Sequence, residues 1–258
     1  MKVRILGAHK FESRHARHTC FLIDGVLGLD AGSLASSLGA AEQGDVQAVL
    51  LTHQHFDHVR DLPTLGLTTL GDGKTIDLYG LAETNDAVHQ HLLNWDLYPD
   101  LTEPLGPEPA KFKLNSVTPQ EGFRAIGYRV SPISVPHTVP NVGYVIRADP
   151  GGAVAYTGDT DGDISAFFKD DLAADVVFLE VSFPNRLHDQ AQITKHMTPA
   201  GLRSHLLEAL KAGIRIPKMV AVHMSLEHQD EIVEQIASVG EELSIDLTPG
   251  HEDMELEV

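Results

Sequence analysis

Three histidines and one aspartate fall within six consecutive residues of this sequence, directly after an aliphatic run. The segment Leu50–Val59 reads LLTHQHFDHV and contains His53, His55, Asp57 and His58. Imidazole and carboxylate groups bind Zn²⁺, Mn²⁺ and Fe in proteins, and they also transfer protons. His53 and His55 are two positions apart, so in extended backbone beyond a strand they project to the same side. The segment therefore predicts a metal or proton-transfer centre at the end of a strand.

Three more residues of the same chemical types follow apolar runs elsewhere in the chain. They are His137 in SVPHTVPNVGY, Asp159 in AYTGDTDGD and His223 in MVAVHMS. Open α/β sheets gather their functional groups at the carboxyl ends of their strands, so these residues are expected to converge with the first cluster. The convergence predicts a binuclear metal centre and argues against solvated loop histidines.

The predicted ligands divide into two metal sites that share one carboxylate. The first site is predicted to comprise His53, His55 and His137, and the second Asp57, His58 and His223, with Asp159 bridging the two. This ligand set favours two divalent ions, with Zn²⁺ first and Mn²⁺ or Fe as substitutes. Two such ions with open positions would generate hydroxide near neutral pH.

Hydrophobic patterning predicts a layered α/β protein in which strands predominate. Strands are expected near residues 2–6, 19–24, 26–30, 47–52, 75–79, 127–135, 142–148, 153–157, 175–181, 218–223 and 243–247. Helices are expected near 82–93, 198–211 and 226–239. Thr198 and Ser225 are predicted to cap the last two helices, and Gly240 to end the third.

Composition restricts the classes of partner. The chain has 258 residues and a formal charge of −18, which argues against broad nucleic-acid binding because long-range repulsion opposes it. No apolar run approaches the ~18 residues of a membrane helix, so no membrane partner is expected. A single cysteine, Cys20, excludes an intrachain disulfide and favours a cytoplasmic location.

The complete pattern resembles the metallo-β-lactamase superfamily. The resemblance rests on T-H-x-H-x-D-H, the later histidine, the T-G-D-T aspartate and the histidine at the end of the last strand. HLLNWDLYPD, HTVPNVGYVIRADPGGAVAYTGDT, LEVSFPN and ITKHMTP are most similar to the class II cyclic-nucleotide phosphodiesterase branch, and the ribonuclease Z branch is related. The resemblance implies one domain over residues 1–258 with an αββα sandwich, in which two mixed β-sheets are flanked by helices. It also implies hydrolysis of a small-molecule phosphodiester, with 3′,5′-cyclic nucleotides as candidates.

The resemblance also implies roles for residues beyond the predicted metal ligands. Asp57 would both bind metal and orient the nucleophile, and His196 would contact the substrate phosphate or the departing oxygen, with Glu180 orienting it. The alternative for His196 is a local loop contact. Asn94 and Trp95 would line the substrate mouth, with Trp95 stacking on a base, and the alternative is packing at an exposed edge.

Three other functions stay open at this point. They are tRNA processing of the ribonuclease Z type, hydrolysis of another ester, lactone or lactam, and a non-enzymatic metal-binding module. A homodimer is also an open alternative. Ribonuclease Z enzymes commonly carry a tRNA-binding arm between the third histidine and the bridging aspartate. His137 and Asp159 are only 22 residues apart, which leaves no room for that arm. The loop Ala8–Glu12 departs from the glycine-rich turn of many relatives and is expected to affect substrate choice.

Overall fold

Two seven-stranded β-sheets form the centre of the part of the fold that the structure describes. The structure, a computed structural model, describes residues 1–169 and 172–258. In spatial order the first sheet contains β14 (Glu255–Glu257), β1 (Lys2–Gly7), β2 (Cys20–Ile23), β3 (Leu27–Leu29), β4 (Ala48–Leu50), β5 (Ile76–Gly80) and β6 (Phe112–Ser116). The second contains β13 (Leu247–Pro249), β12 (Lys218–Val222), β11 (Val176–Glu180), β10 (Ala153–Tyr156), β9 (Val142–Arg147), β8 (Tyr128–Ser134) and β7 (Phe123–Ala125).

The helices connect these strands and cover their outer faces. They are α1 (Leu34–Ser37), α2 (Ala40–Asp45), α3 (Phe56–Val59), α4 (Leu62–Thr68), α5 (Ala82–His91), α6 (His188–Thr194), α7 (Pro199–Lys211) and α8 (Gln229–Leu243). Among the described residues, no helix is both long and apolar enough to cross a membrane.

Three apolar clusters define four layers. The central cluster joins the inner faces of the two sheets, with Phe21 of the first sheet against Tyr156 and Phe178 of the second. One outer cluster packs the second sheet against α7 and α8, and the other packs the first sheet against α1, α4 and α5. Each sheet is therefore buried on both faces, and the predicted αββα sandwich of mixed sheets is confirmed.

Each sheet combines antiparallel and parallel pairs, which explains where polar residues collect. Strands β3 to β6 are parallel to one another, as are β10 to β13. Parallel strands end at the same edge of a sheet, so the segments after β10 and β12 lie close together. The segment after β4 of the first sheet meets them, since Asp57 and Asp159 both lie within 3.4 Å of His223 Nε2. These segments carry the predicted metal ligands.

The end of α8 differs from the prediction. Gly240 is helical and the helix continues to Leu243, so the strand predicted at 243–247 is wrong and β13 begins only at Leu247. The apolar stripe reaches Leu243, and Gly240 is buried in the helix, where a Cβ would make only ordinary contacts at 3.6 Å, so nothing at this position ends the helix. Ser225 precedes a short 3₁₀ turn and does not cap α8 through its side chain. At α7, Thr198 Oγ1 accepts from the Gly201 amide, so the predicted cap is confirmed.

Candidate metal centre

The first predicted ligand group consists of three imidazoles whose ring nitrogens converge. His53 Nε2 lies 2.9 Å from His55 Nδ1, and His137 Nε2 lies 3.3 Å from that same His55 nitrogen. His53 and His55 come from the segment after β4, whereas His137 comes from the segment after β8. His55 Nδ1 offers either one lone pair or one N–H, so it cannot form full hydrogen bonds with both Nε2 atoms. A shared cation would satisfy them.

The second predicted group combines a carboxylate with two imidazoles. Asp57 Oδ2 lies 3.6 Å from His58 Nε2 and 3.3 Å from His223 Nε2. Both histidine side chains are fully buried, while the Asp57 side chain is 24% exposed. The group therefore opens to solvent only on the side of its carboxylate.

The Asp159 carboxylate lies between the two groups. Its Oδ2 atom is 3.4 Å from both His58 Nε2 and His223 Nε2, and 3.9 Å from His53 Nε2. It is also 4.0 Å from His137 Nε2. One carboxylate oxygen is therefore within reach of both groups, as a bridging ligand requires.

A single helical turn positions the predicted ligands of residues 53–58. His55 has extended backbone and immediately precedes the single turn α3, which contains Asp57 and His58. The backbone of this turn packs closely against Gly32, because a Cβ on Gly32 would lie 2.0 Å from the Asp57 carbonyl oxygen. A side chain at Gly32 would therefore displace the ligand turn.

A buried carboxylate that the sequence analysis overlooked fixes two of the histidines. Asp30 Oδ2 lies 2.7 Å from His58 Nδ1, so that N–H donates to Asp30 and Nε2 faces the centre. Thr52 Oγ1 donates to Asp30 and lies 3.0 Å from His53 Nδ1, which holds the Nε2 atom of His53 in the same direction. The available signal was the position of Asp30 directly after an apolar strand, as with the predicted ligands.

Ser182 orients the histidine at the end of β12 in a similar way. Ser182 Oγ donates to Glu180 Oε2 at 2.6 Å and lies 2.8 Å from His223 Nδ1, from which it accepts. The Nδ1 atom of His137 instead donates to the backbone carbonyl of Lys195, at 3.2 Å. Both contacts leave the Nε2 atoms directed at the centre.

Electrostatics differ between the two groups. Burial lowers the pKa of His53 well below its usual range, and burial lowers the pKa of His137 to about 4. Burial also disfavours the charged form of His58, but the carboxylates of Asp159 and Asp57 outweigh it and hold the pKa well above its usual range. The second group therefore has a strong excess of negative charge, which only a proton or another cation can compensate.

Unpartnered buried atoms test whether these residues fit metal ions. His58 Nε2 and Asp159 Oδ1 are buried and have no hydrogen-bond partner within the described part of the chain. Unpaired buried polar atoms are costly, and both atom types coordinate divalent metals. The ligand atoms of the first group lie within 4.8 Å of one another, as do those of the second. The residues thus fit the two predicted ions, and their role as ligands remains a prediction.

His196 lies beside both groups and is held by the predicted partner. Its Nδ1 atom donates to Glu180 Oε1 at 2.8 Å, so the predicted contact between these residues is confirmed. Its ring stacks on His223 and meets His137 edge-on, with centroid distances of 5.4 and 5.2 Å. Burial disfavours the charged form, but Glu180 outweighs it and raises the pKa of His196. This residue can therefore carry a proton next to the metal ligands.

The predicted substrate-mouth residues lie in the loop after α5. Asn94 uses its side chain locally, since Nδ2 donates to the Gln90 carbonyl and Oδ1 accepts from two amides. Trp95 is 63% exposed and has a positive φ of 67°. Contact of these two residues with a substrate remains a prediction.

A groove opens on the His137 side of the centre. It has a volume of about 640 Å³ and is lined by residues 81–83, 117–119 and 134–141. Its floor includes the buried Asn141, whose Nδ2 donates to the Asp159 carbonyl at 2.6 Å. The groove therefore adjoins the segment that carries the shared carboxylate and could accommodate an organic group.

A family comparison supports the class that the fold and ligand pattern suggest. Residues 19–224 match the family described as beta-lactamase superfamily domain, which covers most of the chain. The protein therefore belongs to this superfamily and has the fold of its metal-dependent hydrolases.

Two curated relatives are similar at 25% identity. One is a 3′,5′-cyclic-nucleotide phosphodiesterase of Aliivibrio fischeri, aligned over 62% of this chain and 52% of the relative. The other is a probable 3′,5′-cyclic-nucleotide phosphodiesterase of Yersinia pestis, aligned over 70% of this chain and 62% of the relative. The chain thus spans between half and two thirds of the length of these relatives.

Among solved structures, unliganded yeast PDE1 shares the fold, with a TM-score of 0.81 and 17% identity over 100% of this chain and 99% of that one.

Proposed function

We propose that this protein is a binuclear metal-dependent phosphodiesterase that hydrolyses small phosphodiesters, with 3′,5′-cyclic nucleotides as the candidate natural class. The observation that carries the proposal is the convergence of two ligand groups on Asp159 Oδ2, with the His196–Glu180 pair beside them. The two relatives named as cyclic-nucleotide phosphodiesterases support the choice of a phosphodiester.

The ligand groups would each hold one divalent ion. His53, His55 and His137 would hold the first, Asp57, His58 and His223 the second, and Asp159 would reach both. Zn²⁺ suits this set best, and Mn²⁺ or Fe would be substitutes. Such ions, when bound, supply Lewis-acid stabilisation of phosphoryl charge and make a water molecule acidic near neutral pH.

The protein's own residues position the reactants and move a proton. Asp57 is the partly exposed carboxylate of the centre, so it can accept a hydrogen bond from the attacking water and orient it. Glu180 holds the Nδ1–H of His196, and Nε2 lies next to Lys10 Nζ at 2.7 Å. A proton at Nε2 would be transferred to the departing oxygen, which is the role of a general acid. The groove next to His137 would hold an organic substituent of the diester.

The segment between His137 and Asp159 supports a small substrate. It consists mainly of the hairpin of β9 and β10, in which residues 144–147 pair antiparallel with residues 153–156, and it carries no arm. The −18 charge adds to this, because tRNA affinity depends on neutralising phosphates with Lys and Arg.

A substrate panel tests the proposal. Protein purified without chelator and assayed for metal content would be offered bis(p-nitrophenyl) phosphate, 3′,5′-cyclic AMP, a lactone, a β-lactam and precursor tRNA. We expect close to two ions per chain and chelator-sensitive turnover of the small diesters. Efficient cleavage of precursor tRNA without turnover of any small diester would favour the ribonuclease, and turnover of only the lactone or lactam would favour the other hydrolases.

A further inference from the structure

The loop Ala8–Glu12, between β1 and β2, is fastened to the strand end that carries His223. The Ala8 carbonyl accepts from the His223 amide at 2.6 Å, and the Lys10 amide donates to the Met224 carbonyl at 3.3 Å. On its other side, His9 Nδ1 lies 2.7 Å from Glu252 Oε1. These contacts fix the loop backbone next to the candidate metal centre.

This loop directs a lysine side chain into the centre. Lys10 Nζ lies 2.7 Å from His196 Nε2 and 4.7 Å from the centroid of the Phe183 ring. An ion pair requires a nitrogen–oxygen distance of at most 4.0 Å. Across residues 1–169 and 172–258, no carboxylate oxygen lies that close to Lys10 Nζ. Lys10 is thus a partly buried cation without an anionic partner in direct contact, and an unpaired charge is costly to remove from water.

The geometry around Lys10 defines a pair of nitrogen donors. His196 Nδ1 is occupied by Glu180, and it lies 3.9 Å from Asp159 Oδ2. In this structure His196 Nε2 accepts from Lys10 Nζ at 2.7 Å. In the protonated form that the proposed general acid requires, Nε2 becomes a second donor to the same space. Burial lowers the pKa of Lys10, while Glu180 and Asp159 oppose that change. An anionic oxygen in this space would accept from both nitrogens.

We propose that Lys10 and His196 together bind a phosphoryl oxygen of the substrate, and that Lys10 makes the site selective for anionic phosphodiesters over neutral esters. This inference rests on the proposed function and names the residue that recognises the substrate's charge. A fixed cation would add to the attraction that the two proposed ions exert, because the protein as a whole carries a charge of −18, which repels anions at long range. The Ala8–Glu12 loop, which differs from the glycine-rich turn of many relatives, thus contributes directly to substrate choice.

The experiment compares Lys10→Met, which removes the charge with little change of shape, with Lys10→Arg and Lys10→Gln. We expect Lys10→Met to lower kcat/KM for bis(p-nitrophenyl) phosphate by about 10- to 100-fold, as for loss of a charge-assisted hydrogen bond. Calorimetric affinity of the metal-loaded protein for inorganic phosphate should fall by a similar factor, with Lys10→Arg retaining most of it. The loss of p-nitrophenyl acetate hydrolysis should be at least about tenfold smaller, because a neutral ester lacks the charge that a hydrogen-bonded cation recognises.

Lys211→Met is the matched control, since Lys211 is an exposed lysine in the last turn of α7. Metal content and melting temperature are measured for every variant, and Lys10→Gln replaces Lys10→Met if the latter does not fold. Unchanged phosphate affinity and unchanged diester kinetics, or equal losses on neutral and anionic substrates, would overturn the inference. If the metal-loaded wild type hydrolyses no diester, the proposed function fails, and the phosphate-affinity measurement still decides whether Lys10 binds an anion.

Discussion

The two ligand groups of the centre contain adjacent histidines with opposite electrostatics. His53 and His58 are both fully buried, and their ring centroids are only 4.1 Å apart. The pKa of His53 is lowered because burial dominates, whereas that of His58 is raised because its facing carboxylates outweigh burial. Equal burial therefore does not give equal chemistry. The Asp159 and Asp57 carboxylates make the largest difference, and the partners on the second ring nitrogen add to it.

Those partners are a hydroxyl and a carboxylate. His53 Nδ1 contacts the neutral Thr52 Oγ1, whereas His58 Nδ1 contacts the Asp30 carboxylate. A carboxylate partner raises the basicity of an imidazole ligand and fixes its orientation. We therefore expect the second group, which also contains the Asp57 carboxylate, to bind its ion more tightly than the all-histidine group.

The largest effect is expected at the residue that both groups share. Asp159→Ala should remove activity more completely than any single histidine substitution, because Asp159 Oδ2 lies within 4.0 Å of ligand atoms from both groups. Elemental analysis should show fewer than two ions per chain, and Asp253→Ala at an exposed aspartate serves as the control. Wild-type metal content in Asp159→Ala would show that the two groups do not depend on a bridge.

Substitution of His196 tests whether this residue transfers a proton or binds metal. His196→Ala should lower turnover by roughly 10²–10⁴-fold, the range for a positioned acid, while metal content stays unchanged. Steady-state kinetics and elemental analysis of the same sample give the turnover number and the metal content. Near-wild-type turnover would reduce His196 to a loop contact, and loss of metal would place it among the ligands.

Asp30→Asn tests the carboxylate partner of the second group. Removing the charge should weaken the tighter of the two ions by about 10- to 100-fold, the usual cost of losing such a partner. Competition with a zinc chelator of known affinity resolves the two dissociation constants. Equal weakening of both ions, with a preserved melting temperature, would show that Asp30 supports His53 through Thr52 as strongly as it supports His58 directly, which would contradict the expected difference between the groups.

The smallest effect is expected at the hydroxyl partner of the first group. Thr52→Val should weaken the looser ion by about two- to tenfold, since a neutral hydrogen bond contributes ~0.5–1.5 kcal/mol. Thr52→Ser keeps the hydroxyl and is the control in the same chelator competition. A loss as large as that of Asp30→Asn would remove the proposed difference between the groups.

Much of the candidate site could be predicted because its residues follow strands that the hydrophobic pattern identifies. His137, Asp159 and His223 each come after such a strand, so topology alone places them near the first cluster. Asp30 and Ser182 also follow strands, but each contacts the Nδ1 atom of a histidine on the side away from the centre. The sequence pattern does not indicate which histidine each of them contacts. The short helices and strands that were missed, such as α3 and β7, contain too few residues to show a period.

The sequence by itself determined the ligand types, their spacing within residues 53–58 and the layered fold, because residue chemistry and hydrophobic periodicity are local properties. Only the tertiary structure decided which nitrogen of each histidine faces the centre, that Asp30 accepts from His58, and that Lys10 reaches His196 across 186 positions of sequence. The Asp30–His58 pairing depends on neighbouring strands of one sheet, and the Lys10–His196 pairing on how the two sheets pack face to face. Both bring together side chains whose separation along the chain carries no signal.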